Sequence, residues 1–587
     1  METGNPTEAA RLGPEHRRRS LDRMEAEAFD VVIIGGGVTG AGAAVDAAGR
    51  GLSVALIEQR DWAAGTSSRS SKLIHGGLRY LEQFDFGLVL EAKREQALML
   101  GRLCPHLVRP VPFLYPLRGP LWERLYIGAG ILLYDLLSGF DRALPWHKHL
   151  GRRGVRRVFP ALAAKGLKGA IQYHDAQVDD ARHTLALVRT AALHGAAVAS
   201  SARVESLALA GQRVTGVNMR CLESGREITV RGRQVINATG VWTDEVQNMA
   251  GRGRIQVRAS KGIHLVIPRD RIHGDSGLIL RTAKSVLFLI PRKHHWIVGT
   301  TDTDWNLDLA HPAASSGDLD YLLGELNKVL ARPLAREDIE GVYAGLRPLL
   351  RGETEETSEL SRRHAVSQSV SGLITVAGGK YTTYRVMARD AIDLAARGLE
   401  RRVPESCSDR MPLVGAEGYA AVWNRRNILA EGLGLHVGQV EHLLERYGAR
   451  VQELIALMTA RPELALPLEG APSYLAAEAY YATSHEGALH LEDVLTRRTR
   501  ISIETLDRGI AAARPVADLM AEVLHWDGET RARELAHYDA RVQAERESQQ
   551  QPDDRTADAA RLGAPDVRMG SRERGAVLRL PQKRAGD

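Results

Sequence analysis

Three glycines, Gly35, Gly37 and Gly40, stand in the run DVVIIGGGVTGAG, and an acidic residue, Glu58, closes the next apolar run, VALIE. The order predicts a buried strand, a tight turn, a helix and a second strand. In that frame the first glycine makes the turn, the second admits a pyrophosphate to the backbone, and the third lets helix and strand approach closely. Thr39 falls in the first helical turn, where free N–H groups face a phosphate, and Glu58 can accept both ribose hydroxyls. That is the chemistry of dinucleotide binding. The chain then reads SSRSSKLIHGGLRYLE from Ser67 to Glu82, with clustered hydroxyls, alternating cations, a His-Gly-Gly hinge and an Arg-Tyr pair. So little hydrophobic periodicity and so many donors mark a site rather than a core element. Two distant turns, VINATG (Val235 to Gly240) and GGKYTT (Gly378 to Thr383), read as further contacts to one extended ligand. A nicotinamide enzyme needs only the two mononucleotide halves, so these extra turns favour FAD.

The elements that must position these residues follow from patterning. Residues 1–28 precede the first strand and read as a mobile extension. After a helix at Leu185 to His194, the strand-turn RQVINATGVW returns to the nucleotide fold. Short β-rich runs such as GIHLVIP, SVLFLIP and HHWIVGT predict a mainly antiparallel substrate domain over roughly 255–345. SGLITVAGGKYTTYR then brings back strand, glycine turn and helix, which makes the FAD-binding part of 29–400 discontinuous. Residues 405–545 are amphipathic and helical, and 546–587, rich in Asp, Arg, Gln, Gly and Pro, read as a disordered tail. The fold class expected is α/β: a Rossmann-like FAD-binding domain, an inserted antiparallel substrate domain and an α-helical C-terminal domain.

Composition narrows the function classes. The 587 residues carry a formal charge of +6, small for this length, and much of the basic weight lies near the ends, as in Arg17, Arg18 and Arg19. There is no basic-aromatic interleaving of the RNA-binding kind, so nucleic acid is discounted. Cys104, Cys221 and Cys407 are far apart and suggest neither a disulfide framework nor a metal knuckle. No apolar run approaches the roughly 20 residues of a spanning helix. The first residues lack a secretory signal, so a cytoplasmic protein is expected.

On IGGGVTGAG, GTSSRSSKLIHGGLRYLE, INATGVW, GLRPL, SRRH, GGKYTTYR and LEDVLTRRTR, the chain resembles the FAD-dependent sn-glycerol-3-phosphate dehydrogenases of the bacterial respiratory and mitochondrial type. Two departures stand out: Val241 replaces a common proline and Arg363 replaces an acidic residue. The resemblance implies oxidation of the C2 alcohol of glycerol 3-phosphate to dihydroxyacetone phosphate, with a hydride sent to flavin N5. Arg79, Tyr80, Arg347, Arg362 and Lys380 become the substrate-binding set, since guanidinium forks match phosphate oxygens. His264, Arg347 and Lys380 become the catalytic set. His264 is preferred as the base, and His75, the other candidate, is placed beside the flavin. The cofactor-binding set comprises Gly35, Gly37, Thr39, Gly40, Glu58, Thr66, Ser67, Ser68, Ser71, Leu73, His75, Gly76, Gly77, Val204, Ala238, Gly240, Gly379 and Thr382. Thr382 and Thr383 begin a helix whose positive end would face the flavin.

The same resemblance implies a membrane quinone as acceptor. LWERLYIGAGILLYDLLSGF (Leu121 to Phe140) carries an apolar stripe at helical spacing, with the cations of Arg152 to Arg157 shortly after. Such a stripe suits peripheral, monotopic attachment to the cytoplasmic membrane, or equally burial in a core. Alternatives remain an oxygen-reducing glycerol-3-phosphate oxidase and a non-catalytic flavin-binding interaction protein. A homodimer is compatible with either.

Overall fold

The computed structural model of the chain describes residues 6–77, 85–137, 144–251, 253, 255–282, 286–351, 364–564 and 566–568. Two large sheets organise the first part. In the nucleotide sheet, strand Ala28–Ile34 lies at the centre, parallel to Val54–Ile57 on one side and to Glu227–Asn237 on the other. Leu373–Gly378 continues the parallel order beyond Glu227–Asn237. The apolar runs VVII and VALI are buried on both faces, which is why they read as unbroken hydrophobic stretches rather than alternating ones. Helices Val38–Gly49, Asp180–Leu193 and Tyr384–Arg397 cover one face and share its core.

The second sheet is built around Val257–Pro268, which pairs antiparallel with both His295–Gly299 and Gly341–Leu350. It extends through Val286–Pro291 and Gly277–Arg281 to strands from the first third of the chain, Val108–Leu117 and Gly169–Val178. The expected boundary of 255–345 is therefore too narrow. Pro110, Pro112 and Pro116 lie within Val108–Leu117 and hide it from a sequence reading, because proline argues against an interior strand. Helix Ser316–Asn327 packs Leu319, Leu322 and Leu326 against Leu265, Ile267 and Trp296 on the far side of this sheet.

Two segments expected to be irregular are ordered. Helix Pro14–Ala26 buries Leu21 and Met24, and its Arg17 donates to the Ser200 carbonyl at 2.9 Å, so residues 14–26 are docked rather than a mobile extension. An i, i+3 apolar pair inside an arginine-rich run faces the sheet, and Arg17 adds its bonds to the Ser200 and Ser201 carbonyls. At the other end, helix Gly528–Ser548 crosses the expected start of the tail, and a further helix, Asp554–Leu562, follows it. Arg568 is buried on Asp493 through contacts of 2.7 and 2.8 Å. A charged segment is held here by partners far away in sequence, which composition does not register. Residues 569–587 lie outside the described residues.

Candidate active site

The two sheets and the loop 60–72 enclose a cleft of about 550 Å³. It begins at the glycine turn. Gly35 has φ 111°, and a Cβ on Gly40 would fall 2.0 Å from the Gly35 carbonyl oxygen, so the third glycine is there for close packing and does not reach the cleft itself. The following helix starts on Gly37, which brings no side-chain cap, and the Val38 N–H is satisfied by Ser67 Oγ at 2.9 Å. Glu58 accepts from the Gly36 and Arg60 N–H groups at 2.7 and 2.8 Å, which fixes its carboxylate at the strand end. Burial raises its pKa above the ordinary carboxylate value, against the pull of those donors. A glycine at the helix start, an oriented carboxylate and a long cleft fit a dinucleotide such as FAD.

Gly35, Gly37, Thr39, Glu58, Thr66, Ser67, Ser71, Leu73, His75, Gly77, Val204, Ala238, Gly240 and Gly379 line this cleft. Four other expected cofactor residues, Gly40, Ser68, Gly76 and Thr382, sit behind it. Ser68 faces a small cavity on the other side of its loop. The Gly76 N–H is held by Tyr134 Oη at 2.8 Å, and Tyr134 in turn donates to Asp175 at 2.7 Å. Thr382 spends its hydroxyl on the backbone of His75, accepting from its N–H at 3.2 Å. Thr382 and Thr383 lie in a 3₁₀ turn, Tyr381–Thr383, and the helix proper begins at Tyr384, so neither threonine is in the helix. Those four residues shape the wall rather than line it.

His264 and Arg347 reach the cleft from neighbouring strands, and Lys380 from the turn that follows Leu373–Gly378. Register explains the first two. Ser260 pairs with Arg347 and His264 with Tyr343, so by the two-residue alternation of strands Ser260, Gly262, His264, Tyr343 and Arg347 share one face. The glycines make room there: a Cβ on Gly262 would lie 2.6 Å from Arg347 Nη2, and one on Gly299 would lie 2.3 Å from His264 Cδ2. Arg347 donates to Thr300 Oγ1 at 3.0 Å, to the Thr301 carbonyl at 3.1 Å and to Ser260 Oγ at 3.3 Å, with Asp302 at 3.4 Å. His264 Nε2 meets Ser71 Oγ at 2.8 Å, and the ring stacks on Tyr343 with centroids 4.7 Å apart. Burial, with the charges of Arg347 and Lys72, depresses its pKa well below the ordinary imidazole value. It is held neutral, and its buried Nδ1 has no partner among the described residues. Arg79, Tyr80, Arg362 and Arg363 lie outside the described residues.

Sequence reasoning missed Thr300, Asp302 and Tyr343. TTDTDW is an obvious polar cluster, but nothing in it says that it faces Arg347 across a strand pair.

The helix expected at Leu121 to Phe140 is present as Leu121–Leu136. Its inner face delivers Tyr134 to the His-Gly-Gly loop, while Trp122 and Leu125 are 64% and 70% exposed. Tyr126, Leu132, Leu133 and Leu136 are exposed beside them, so the apolar stripe does not bury itself in a core.

A family model described as FAD dependent oxidoreductase matches residues 30–385, and one described as the C-terminal domain of alpha-glycerophosphate oxidase matches residues 406–531. The chain is 56% identical over 561 residues to a glycerol-3-phosphate dehydrogenase of Mycobacterium leprae, covering 95% of this chain and 96% of that one. It is 35% identical over 545 residues to the mitochondrial glycerol-3-phosphate dehydrogenase of Bos taurus, covering 89% and 74%. Among solved structures, the glycerol-3-phosphate dehydrogenase from Bacillus halodurans complexed with FAD aligns with a TM-score of 0.75 and 27% identity, over 91% of this chain and 98% of that one. With the glycine turn, the cleft and the two-sheet frame in agreement with these matches, the chain belongs to the FAD-dependent glycerol-3-phosphate dehydrogenase family.

Proposed function

We propose that the chain oxidises the C2 alcohol of sn-glycerol 3-phosphate to dihydroxyacetone phosphate and passes the electrons to a membrane quinone. The reaction removes a hydride from C2 and a proton from its hydroxyl. FAD, when bound, supplies the hydride acceptor at ring N5. The observation that carries the reading is the shared strand face of His264 and Arg347. A neutral imidazole can take the hydroxyl proton, and His264 lines the cleft with its Nε2 joined to Ser71 Oγ. Its low basicity in the free protein follows from burial and from Arg347 and Lys72, and a substrate dianion would offset both cations. Arg347 and Lys380 bind the phosphate. The family resemblance adds Arg79, Tyr80 and Arg362 to that set.

The exposed stripe of Leu121–Leu136 favours a quinone over oxygen. Beside it, Arg152, Arg153, Arg156 and Arg157 are exposed, and Arg124 of the helix donates to the Leu150 carbonyl on the adjoining strand at 3.0 Å. An apolar face rimmed by cations suits the interface of an anionic bilayer. No described helix is long and apolar enough to cross a membrane. The test is anaerobic: glycerol 3-phosphate should bleach the bound flavin, and unphosphorylated glycerol should not. In a second assay, in air, a quinone analogue should take the electrons first and suppress oxygen uptake on an oxygen electrode. Rapid oxygen uptake, indifferent to the quinone, would instead support an oxidase.

A further inference from the structure

The motif LEDVLTRRTR belongs to the C-terminal domain, whose part in the reaction the cleft does not explain. Three of its arginines run back to the loop 60–72, whose members Thr66, Ser67 and Ser71 line the cofactor cleft. Arg498 grips Asp61 with both guanidinium nitrogens, at 2.7 Å each, and Arg497 donates to the same carboxylate. Asp61 and Arg498 are fully buried. That fixes the start of the loop.

Arg500 fixes its end. One nitrogen, Nη2, donates to Asp179 and to Asp180 at 2.6 Å each, and Nη1 reaches the Ser68 carbonyl at 3.4 Å. Asp180 passes the hold into the loop. Its second oxygen accepts from the Ser70 N–H and hydroxyl at 3.0 and 2.7 Å, and its first from Lys72 Nζ at 2.7 Å. Lys72 Nζ returns to the Ser68 carbonyl at 3.0 Å. The same few residues set the substrate side as well, since Tyr343 Oη donates to the Ser70 carbonyl at 3.0 Å and Ser71 holds His264.

We propose that the C-terminal domain acts as a clamp on the cofactor loop, with Arg500 and Arg498 as positioning residues that hold Thr66 to Ser71 in the conformation that retains FAD. Neither arginine touches the reacting atoms. Removing Arg500 leaves two buried carboxylates short of a cation, and Asp180 is then no longer tied to the C-terminal domain while it holds Ser70 and Lys72. The loop, not only the domain contact, should loosen.

The test measures FAD affinity, by titrating FAD back into the deflavinated protein and following flavin fluorescence, together with thermal midpoints with and without FAD. Arg500→Gln should weaken FAD binding at least tenfold, with turnover recovering in excess FAD, and Arg500→Lys, which keeps the charge but loses the fork, should fall between. Ser70→Ala breaks the same chain on the loop side, away from the domain contact. It should also weaken FAD binding, and the double variant should be little worse than the worse single one. An unchanged FAD affinity in Ser70→Ala overturns the clamp, even if Arg500→Gln does not fold. So do additive losses, which would mean independent contacts, or an Arg500→Gln midpoint lowered equally with and without FAD.

Discussion

Replacing Arg347 by alanine isolates the recognition of phosphate from the rest of the chemistry. The guanidinium is anchored by Thr300, Thr301 and Ser260, with Asp302 beside it, and its side chain keeps 21% of its surface open to the cleft. One charge-assisted hydrogen bond to a partly buried group is worth roughly 1.5–3 kcal/mol, and a bidentate fork supplies two. At about 1.4 kcal/mol per decade, the loss in kcat/KM for glycerol 3-phosphate should be about ten- to a hundredfold for one bond and about a hundredfold to ten-thousandfold if both form. Turnover of unphosphorylated glycerol makes no use of that fork and should change little. Arg347→Lys should fall between, because lysine restores the charge without the fork. The assay is steady-state flavin-linked reduction of a soluble dye with both substrates, alongside FAD content and a thermal midpoint. The midpoint matters because Asp302 is itself buried, and leaving it without its cation costs stability that must not be mistaken for lost binding. Equal losses with both substrates, or an unchanged response to glycerol 3-phosphate, would remove Arg347 from the phosphate pocket.

Three further outcomes follow from the same structure. Gly262→Ala should raise KM for glycerol 3-phosphate with FAD content preserved, because the new Cβ would sit 2.5 Å from Thr300 Oγ1 and 2.6 Å from Arg347 Nη2 and displace the guanidinium; a normal KM would refute the crowding. His490 lies between Glu223 and Glu534, 3.0 Å from each, and despite its burial those carboxylates raise its pKa to about 10. A raised histidine contributes stability that is complete below the unfolded value near 6.5 and lost as pH climbs to about 10, on the order of 4 kcal/mol across that window. Chemical denaturation from pH 6 to 10 should therefore show a steeper decline in the wild type than in His490→Gln, and parallel curves would count against the assignment. Finally, Trp122→Ser combined with Leu125→Ser should reduce flotation with anionic vesicles several-fold while dye-linked turnover stays the same; undiminished flotation would move the membrane contact elsewhere.

What the sequence disclosed depended on how local each interaction is. Gly35, Gly37, Gly40 and Glu58 were legible because turn, helix start and strand end lie within one βαβ unit, where spacing determines geometry. Arg347 and Lys380 were expected in the cleft from family motifs and His264 from its imidazole chemistry, and all three line it. Their neighbours Thr300 and Asp302 come together with Arg347 only through strand register, which no local window contains. The helix Leu121–Leu136 shows the limit from another side: periodicity revealed an apolar stripe but not whether anything covers it. The 14–26 and 554–568 segments read as loose because their composition is charged, yet the first buries Leu21 and Met24 and ties Arg17 to the Ser200 carbonyl, and Arg568, just beyond the second helix, is buried on Asp493. A charge run says nothing of the carboxylate waiting elsewhere in the fold.

The loop 60–72 shows why this matters for function. Asp61 and Arg498 stand 437 positions apart, yet their ion pair is buried on the far side of a loop that lines the cofactor cleft. Whatever free energy the C-terminal arginines contribute to ordering that loop must be returned when FAD binds, since coupling between two sites is reciprocal. FAD should accordingly tighten the seating of Arg497, Arg498 and Arg500 against the nucleotide domain, measurable as slower amide exchange across 494–500 in the loaded protein than in the deflavinated one. If exchange in that segment were indifferent to FAD, the arginines would be fastening two domains together without addressing the cofactor.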